Sequence, residues 1–186
     1  MKTLFLLPGW KSNGDGVRRL RNELRDRGHN VEFIRYGFVL TPWKTVTTSK
    51  AVAIMLAGLV ANDDPAETRL IGHSNGCNII SRAAEIALDL AQPFPEHAIY
   101  ISPALDRKTC RHALERVDVL HTKKDQAVRW ARYVPFSRWG DMGRGGYKGD
   151  DPAYTNHDGT ERIGGHSEWF EPQAIKYTAD KIEELL

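Results

Sequence analysis

Five residues, Gly72-His73-Ser74-Asn75-Gly76, carry the strongest chemical signal in the chain. They follow a short apolar run, Leu70-Ile71, and precede a helical pattern that begins near Cys77. A G-x-S-x-G stretch between a strand and a helix is a nucleophile elbow: the turn is so sharp that its serine must adopt a strained backbone. Side chains at the flanking positions would strike the strand or the helix, so both flanks require glycine. The hydroxyl of Ser74 is lifted clear of the sheet edge, in front of a helix N-terminus that favours developing negative charge. This arrangement suits nucleophilic attack on a carbonyl.

A serine hydroxyl is a weak nucleophile near neutral pH and needs a base, and the base needs an orienting group. Among seven histidines, His166 lies on a glycine-rich loop, Gly164-Gly165-His166-Ser167, after the last candidate strand and before the terminal helix. His157, beside Asp158, is its competitor. Asp125 follows directly on the strand Val117–His121, at its carboxyl end. Asp118, inside that strand, and Asp150 and Asp151, in an irregular segment, are the rival carboxylates.

The elements that must position these groups alternate along the chain, short apolar runs with helical patterns, which predicts an α/β fold with a mostly parallel sheet. Strands are expected at Thr3–Leu7, Val31–Tyr36, Thr68–Ile71, Ala98–Ser102, Val117–His121 and Ala153–Asn156, with the polar second strand at the sheet's edge. Helices are expected over Asp15–Arg27, Val46–Asn62, Cys77–Leu90, Lys108–Leu114, Gln126–Tyr133 and Pro172–Leu186. The first places Val17, Leu20 and Leu24 on one face and is closed by Gly28. The pattern dissolves between Val134 and His166. No composition shift marks a linker, and 186 residues suit one domain, 1–186.

With Ser74, Asp125 and His166 in the chain order nucleophile, acid, histidine, each partner on a loop after a later strand, the chain resembles the α/β-hydrolase superfamily over essentially its whole length, as a small member without a cap domain. That resemblance implies a single-domain α/β sandwich of about six mostly parallel strands, helices on both faces, lacking the antiparallel strands that open the usual fold. It also implies roles. Ser74 is the nucleophile, His166 the general base and then general acid, and Asp125 the group that orients the imidazole. The oxyanion loop is Pro8-Gly9-Trp10, and the donors are the backbone N–H groups of Trp10 and Asn75. Pro8-Gly9 stands where the family often has His-Gly, which fixes the first donor to within a residue. Gly9, Trp10 and His73 border the substrate. The run from Trp139 to Gly149 is similar to a segment of small hydrolases of bacteria and phages and implies no substrate.

The expected activity is that of a carboxylesterase-like serine hydrolase, acting through an acyl-enzyme with no metal or organic cofactor. An amidase or peptidase using the same three residues is the nearest alternative, and a catalytically silent binding module of this fold the second. A zinc site from His157, Asp158 and His166 lacks ligand spacing. With no insertion of cap size between Ala98–Ser102 and Val117–His121, the site is expected to be open, for a short acyl ester or an acyl group on a larger molecule.

The formal net charge of +2 gives no reason to expect nucleic acid. The Arg18, Arg19, Arg21, Arg25, Arg27 cluster, interleaved with Glu23 and Asp26, reads as a solvated helix face. Two cysteines, Cys77 and Cys110, make no disulfide framework, so a reducing, cytoplasmic location is expected. No stretch approaches the roughly 18 apolar residues of a membrane span. Cys77 reads as a buried small hydrophobe. Of the loop aromatics Trp10, Trp43, Phe136, Trp139, Tyr147 and Trp169, some are expected simply to cover the core, and Trp10 is expected at the site mouth. The glycines between Gly140 and Gly149 read as a mobile flap or surface loop rather than a phosphate cradle.

Overall fold

The structure, a computed structural model, describes residues 2–10, 15–36, 42–109, 113–131, 133–134 and 138–186. Six strands form one sheet: β1 (Thr3–Leu7), β2 (Asn30–Phe33), β3 (Thr68–His73), β4 (His97–Ile101), β5 (Arg116–His121) and β6 (Tyr154–Asp158). Their order is β2-β1-β3-β4-β5-β6, and every pair is parallel. Parallel strands are covered on both faces and so read as unbroken apolar runs. β4 is buried at every residue and β1 at four of five. β2, with Glu32 exposed, is an edge strand, and the polar β6 is the other.

Two layers of helices close the sheet. On one face α2 (Pro42–Val60) and α3 (Asn75–Asp89) bury Val52, Leu56, Ile79 and Ile80 against Phe5, Leu70 and Tyr100. On the other, α1 (Asp15–Asp26) and α6 (Ile175–Leu185) bury Leu20, Leu24 and Ile182 against Leu4, Leu6, Ile71 and Ile99. The inward residues of α1 are Val17, Leu20 and Leu24, the spacing of one helical stripe, each contributing about 1.5–3 kcal/mol when fully buried. Gly28, at φ 91°, ends the helix, and the N–H of His29 returns to the carbonyl of Leu24.

The sheet grows outward from β1 in both directions, with β2 on one side and β3 on the other. The chain leaving β1 passes to one helical layer and the chain leaving β3 to the other. A crevice therefore opens at the carboxyl ends of β1 and β3, where ligands of open α/β sheets collect.

Four expectations are corrected. The helix expected over Lys108–Leu114 is not formed in its described part: Arg107 and Lys108 make a turn, while Cys110, Arg111 and His112 lie outside the described residues. The strand expected to run to Tyr36 ends at Phe33, and the phenol of Tyr36 turns back to the carbonyl of Pro8. The arginines of α1 are not simply solvated. Arg27 pairs with Glu23, Asp180 and Glu183, stapling α1 to α6, and Arg25 donates to the carbonyl of Val31.

The glycine-rich segment, finally, is packed rather than flap-like. It holds a short turn of helix, α5 (Met142–Gly145), with Trp139, Met142 and Tyr147 buried. A Cβ on Gly143 would lie 2.6 Å from the carbonyl carbon of Ser102, so the glycine permits backbone to pass against backbone. Tyr147 stacks on Tyr154 of β6 at 3.9 Å between centroids.

No helix among the described residues is long and apolar enough to cross a membrane. The linker from β4 to β5 spans only residues 102–115, and among its described residues there is no helix or strand of a cap domain.

Candidate active site

Ser74 sits between β3 and α3 at φ 54° and ψ −116°, a positive φ that a non-glycine residue adopts only under constraint. The constraint is visible at its flanks. A Cβ on Gly72 would come within 2.8 Å of the backbone nitrogen of Cys77, and one on Gly76 within 2.4 Å of the carbonyl oxygen of Leu7. The backbone of Ser74 is held on both sides, its N–H by the carbonyl of Ile101 and its carbonyl by the N–H groups of Cys77 and Ala104. Gly9 lies beneath it: a Cβ there would be 2.9 Å from Cβ and 3.4 Å from Oγ of Ser74. The loop after β1 and the elbow after β3 are thus in contact, with Trp10 at the rim of the crevice.

Asp125 is fully buried at the loop after β5. Its Oδ1 accepts the N–H of Val128 at 3.2 Å, at the first turn of α4 (Ala127–Ala131), and its Oδ2 meets Nδ1 of His166 at 2.7 Å. The two loops are cross-linked one step away, where the hydroxyl of Thr122 donates to the carbonyl of Ile163 at 2.8 Å. The histidine loop is closed by Glu168, whose carboxylate accepts the N–H of Gly164, and Trp169 beneath it donates to the hydroxyl of Ser102 at 3.0 Å. With Nδ1 committed to Asp125, Nε2 of His166 is left for the crevice, whose walls His166 shares with Ser74.

His73 lies behind this pair. Its ring packs against that of His166 at 4.7 Å and edge-on to Phe170, and its Nε2 is 3.2 Å from the carbonyl oxygen of His166. Burial, then the neighbouring imidazole, hold His73 well below the ordinary histidine range, so Nε2–H of a neutral ring donates this bond.

Asn75 supplies more than a backbone amide. Its buried carboxamide accepts Nε1–H of Trp139 at 2.9 Å and Nδ2–H of Asn78 at 3.2 Å, and donates to Ser49 at 3.1 Å and to the phenol of Tyr36 at 3.4 Å. That phenol, held above the ordinary tyrosine range chiefly by burial, donates to the carbonyl of Pro8 at 2.6 Å. The loop that begins at Pro8 and the residue after Ser74 are therefore held in one hydrogen-bonded frame. The sequence does not mark Tyr36, Ser49, Asn78 or Trp139 for this role, since nothing in local pattern tells a buried polar side chain in a frame from one at a surface.

The rival residues go elsewhere. Asp118 is buried between His97, at 2.7 Å, and His157, at 2.7 Å, with Arg116 at 2.8 Å. Although burial works against it, these hydrogen bonds and charges hold its carboxyl well below the usual range. Asp158 pairs with Lys123, so His157, Asp158 and His166 do not converge. Among the described residues no group of three such side chains could hold a metal ion. Cys77 is buried, and burial pushes its thiol up. Phe136 and the side chain of Trp43 lie outside the described residues.

Two cavities meet at Trp10, Ser74 and His166. One, of about 360 Å³, is walled mainly by apolar groups, among them Ala104, Val128, Trp130 and Trp139. The other, of about 300 Å³, runs under the start of α1 and offers Asp15, Arg19, Ser167 and Glu171 beside Phe170.

Comparison with solved structures decides the fold. Alpha/beta hydrolase domain-containing protein 10 from mouse superposes with a TM-score of 0.64 at 16% identity, covering 98% of this chain and 88% of that one. The chain has the α/β-hydrolase fold. The NocB thioesterase domain, solved as a covalent complex with a fluorophosphonate nocardicin G analogue, matches this hydrolase fold at TM-score 0.62 and 16% identity, covering 99% and 94%. A protein of the alpha/beta hydrolase superfamily from Xanthomonas campestris pv. campestris matches at 0.56 and 14%, covering the full length of both chains. No family model matches the chain, and no curated protein matches it in sequence. The likeness is one of hydrolase architecture.

Proposed function

We propose that residues 1–186 form one hydrolase domain, a cytoplasmic serine hydrolase that cleaves a carboxylic ester or related acyl bond through an acyl-enzyme on Ser74. The observation that carries this reading is the 2.7 Å contact between Asp125 and Nδ1 of His166, on a loop that shares its crevice with the strained Ser74. Oγ of Ser74 attacks the acyl carbon as Nε2 of His166 takes its proton. Asp125, acting through Nδ1–H, fixes the tautomer and stabilises the imidazolium. The N–H groups of Trp10 and Asn75 face the oxyanion, and a donor of this kind is worth about 10²–10³ in turnover. His166 then protonates the leaving group and activates the water that releases the acid. The thioesterase and esterase character of structural neighbours agrees with acyl chemistry.

The test is a fluorophosphonate probe applied to the parent and to Ser74→Ala, each weighed intact by mass spectrometry. One adduct on the parent and none on the variant is expected. An unlabelled parent overturns the reading.

A further inference from the structure

The two cavities that meet at Ser74 differ in chemistry, and the difference assigns the two halves of the substrate. This inference rests on the serine hydrolase reading above. Apolar groups dominate the walls of the 360 Å³ cavity, with the indoles of Trp10 and Trp139 tilted against each other at 5.5 Å between centroids. Its size is within the roughly 300–1,000 Å³ of small-ligand pockets. Asn75 also lines it, so it opens on the side where the acyl oxygen would meet that residue's amide. His166 borders both cavities; the 300 Å³ one adds Ser167 of the same loop and charged groups of both signs, Asp15, Arg19 and Glu171. Arg19 and Glu171 meet at 3.4 Å while remaining 48% and 45% exposed, which leaves both with hydrogen-bonding capacity.

We propose that the substrate is amphipathic: an apolar acyl group of medium length seated in the tryptophan-lined cavity, esterified to a neutral, hydroxyl-rich alcohol held in the polar cavity under α1. The assignment follows from the contrast in wall polarity taken with the order of events. Oγ of Ser74 bonds to the acyl carbon, the bond from that carbon to the alcohol oxygen breaks, and the oxygen takes the proton from Nε2 of His166. Since His166 borders both cavities, either would give the departing oxygen its proton donor; the alcohol has to leave into water and the acyl group has to stay behind, and wall polarity divides the two. Water then enters the vacated polar cavity, gives one proton to His166 and its oxygen to the acyl carbon, and Ser74 regains the proton as the carboxylic acid departs. An apolar cavity holds the acyl group through that second half-reaction, since an acyl chain gains by leaving water and a hydroxyl-rich alcohol does not.

Two ester series separate the cavities: glyceryl monoesters from acetyl to octanoyl, and acetates of ethanol to octanol. Along the acyl series kcat/KM is expected to rise about threefold to fourfold per buried methylene, up to the length that fills the cavity. Along the alcohol series it should stay flat or fall. Ala127→Trp places an indole on an exposed position at the rim of the apolar cavity, and should cut the hexanoyl-to-acetyl preference at least tenfold. Arg19→Ala should lower the preference for glyceryl over ethyl hexanoate by about tenfold. Circular dichroism establishes that both variants are folded. A rise along the alcohol series, a flat acyl series or an unchanged preference in Ala127→Trp overturns the assignment. If the parent takes the fluorophosphonate on Ser74 and yet shows one of these results, the cavity assignment alone has failed. An unlabelled parent fails the hydrolase reading itself.

Discussion

Trp139 donates its indole N–H to the carboxamide oxygen of Asn75 at 2.9 Å, joining the wall of the apolar cavity to the residue that follows the elbow serine. The same carboxamide reaches Ser49, Asn78 and Tyr36, and through Tyr36 the loop at Pro8. One buried side chain thus fixes the cavity wall, α2, α3 and the loop at Pro8 relative to Ser74.

Truncating that side chain should be costly in both stability and turnover. Asn75→Ala strands the indole N–H and the Ser49 hydroxyl in the interior, where an unsatisfied group costs about 1–3 kcal/mol. Urea unfolding is expected to show a loss in this range, with kcat reduced more than KM is raised. A variant with parental stability would show that the frame carries no energy.

Asp125→Asn keeps the shape of the loop after β5 but, in the proposed mechanism, no longer enforces the tautomer of His166 that places a base at Nε2. A fall of about 10⁴-fold in kcat is expected, as for the equivalent change in a Ser-His-Asp triad. Ester hydrolysis within tenfold of the parent would remove Asp125 from the proposed mechanism.

Acidification should destabilise the fold through its buried histidines. Unfolded, His73 takes up a proton near its ordinary value of 6.5; folded, burial and His166 hold it well below that. Between the two values the unfolded chain binds more protons, so stability falls as pH drops below about 6.5 and continues to fall towards the folded value. His97 and His121, both lowered first by burial, act in the same direction. Urea midpoints measured between pH 7.5 and pH 5 should decline. His73→Gln retains a donor for the His166 carbonyl without the titration, and its decline should be shallower. Equal slopes in parent and variant would contradict this account.

Gly143→Ala drives a methyl group to within 2.6 Å of the Ser102 backbone. Overpacking of this kind costs about 1–3 kcal/mol. The melting temperature should fall, and Ser74 labelling should slow, because Ser102 also receives Trp169 from beneath the histidine loop. An unshifted melting temperature would mean that the segment yields as a surface loop would.

What the sequence determined on its own were the features written in neighbouring residues. The elbow is local: a serine forced to positive φ between two glycines is a constraint on consecutive peptide units, and Gly72 to Gly76 state it outright. The buried strands are local too, because a parallel strand covered on both faces needs an unbroken apolar run, as in Leu4 to Leu7 or Ala98 to Ile101. The α/β class with its parallel sheet and the loops bearing Asp125 and His166 could be read at that level, and the α/β-hydrolase fold entered through resemblance.

Tertiary structure decided which polar groups meet. His157 and His166 are nine residues apart in sequence, yet register places one on Asp118 and the other on Asp125. The glycines near Gly143 read as loose chain until Ser102 is seen passing against them, and the arginines of α1 read as solvated until α6 supplies Asp180 and Glu183. The frame around Asn75 and the contrast between the two cavities depend on side chains from elements far apart in the chain. Such contacts follow from strand order and helix packing rather than from local periodicity, so only the assembled molecule could decide them.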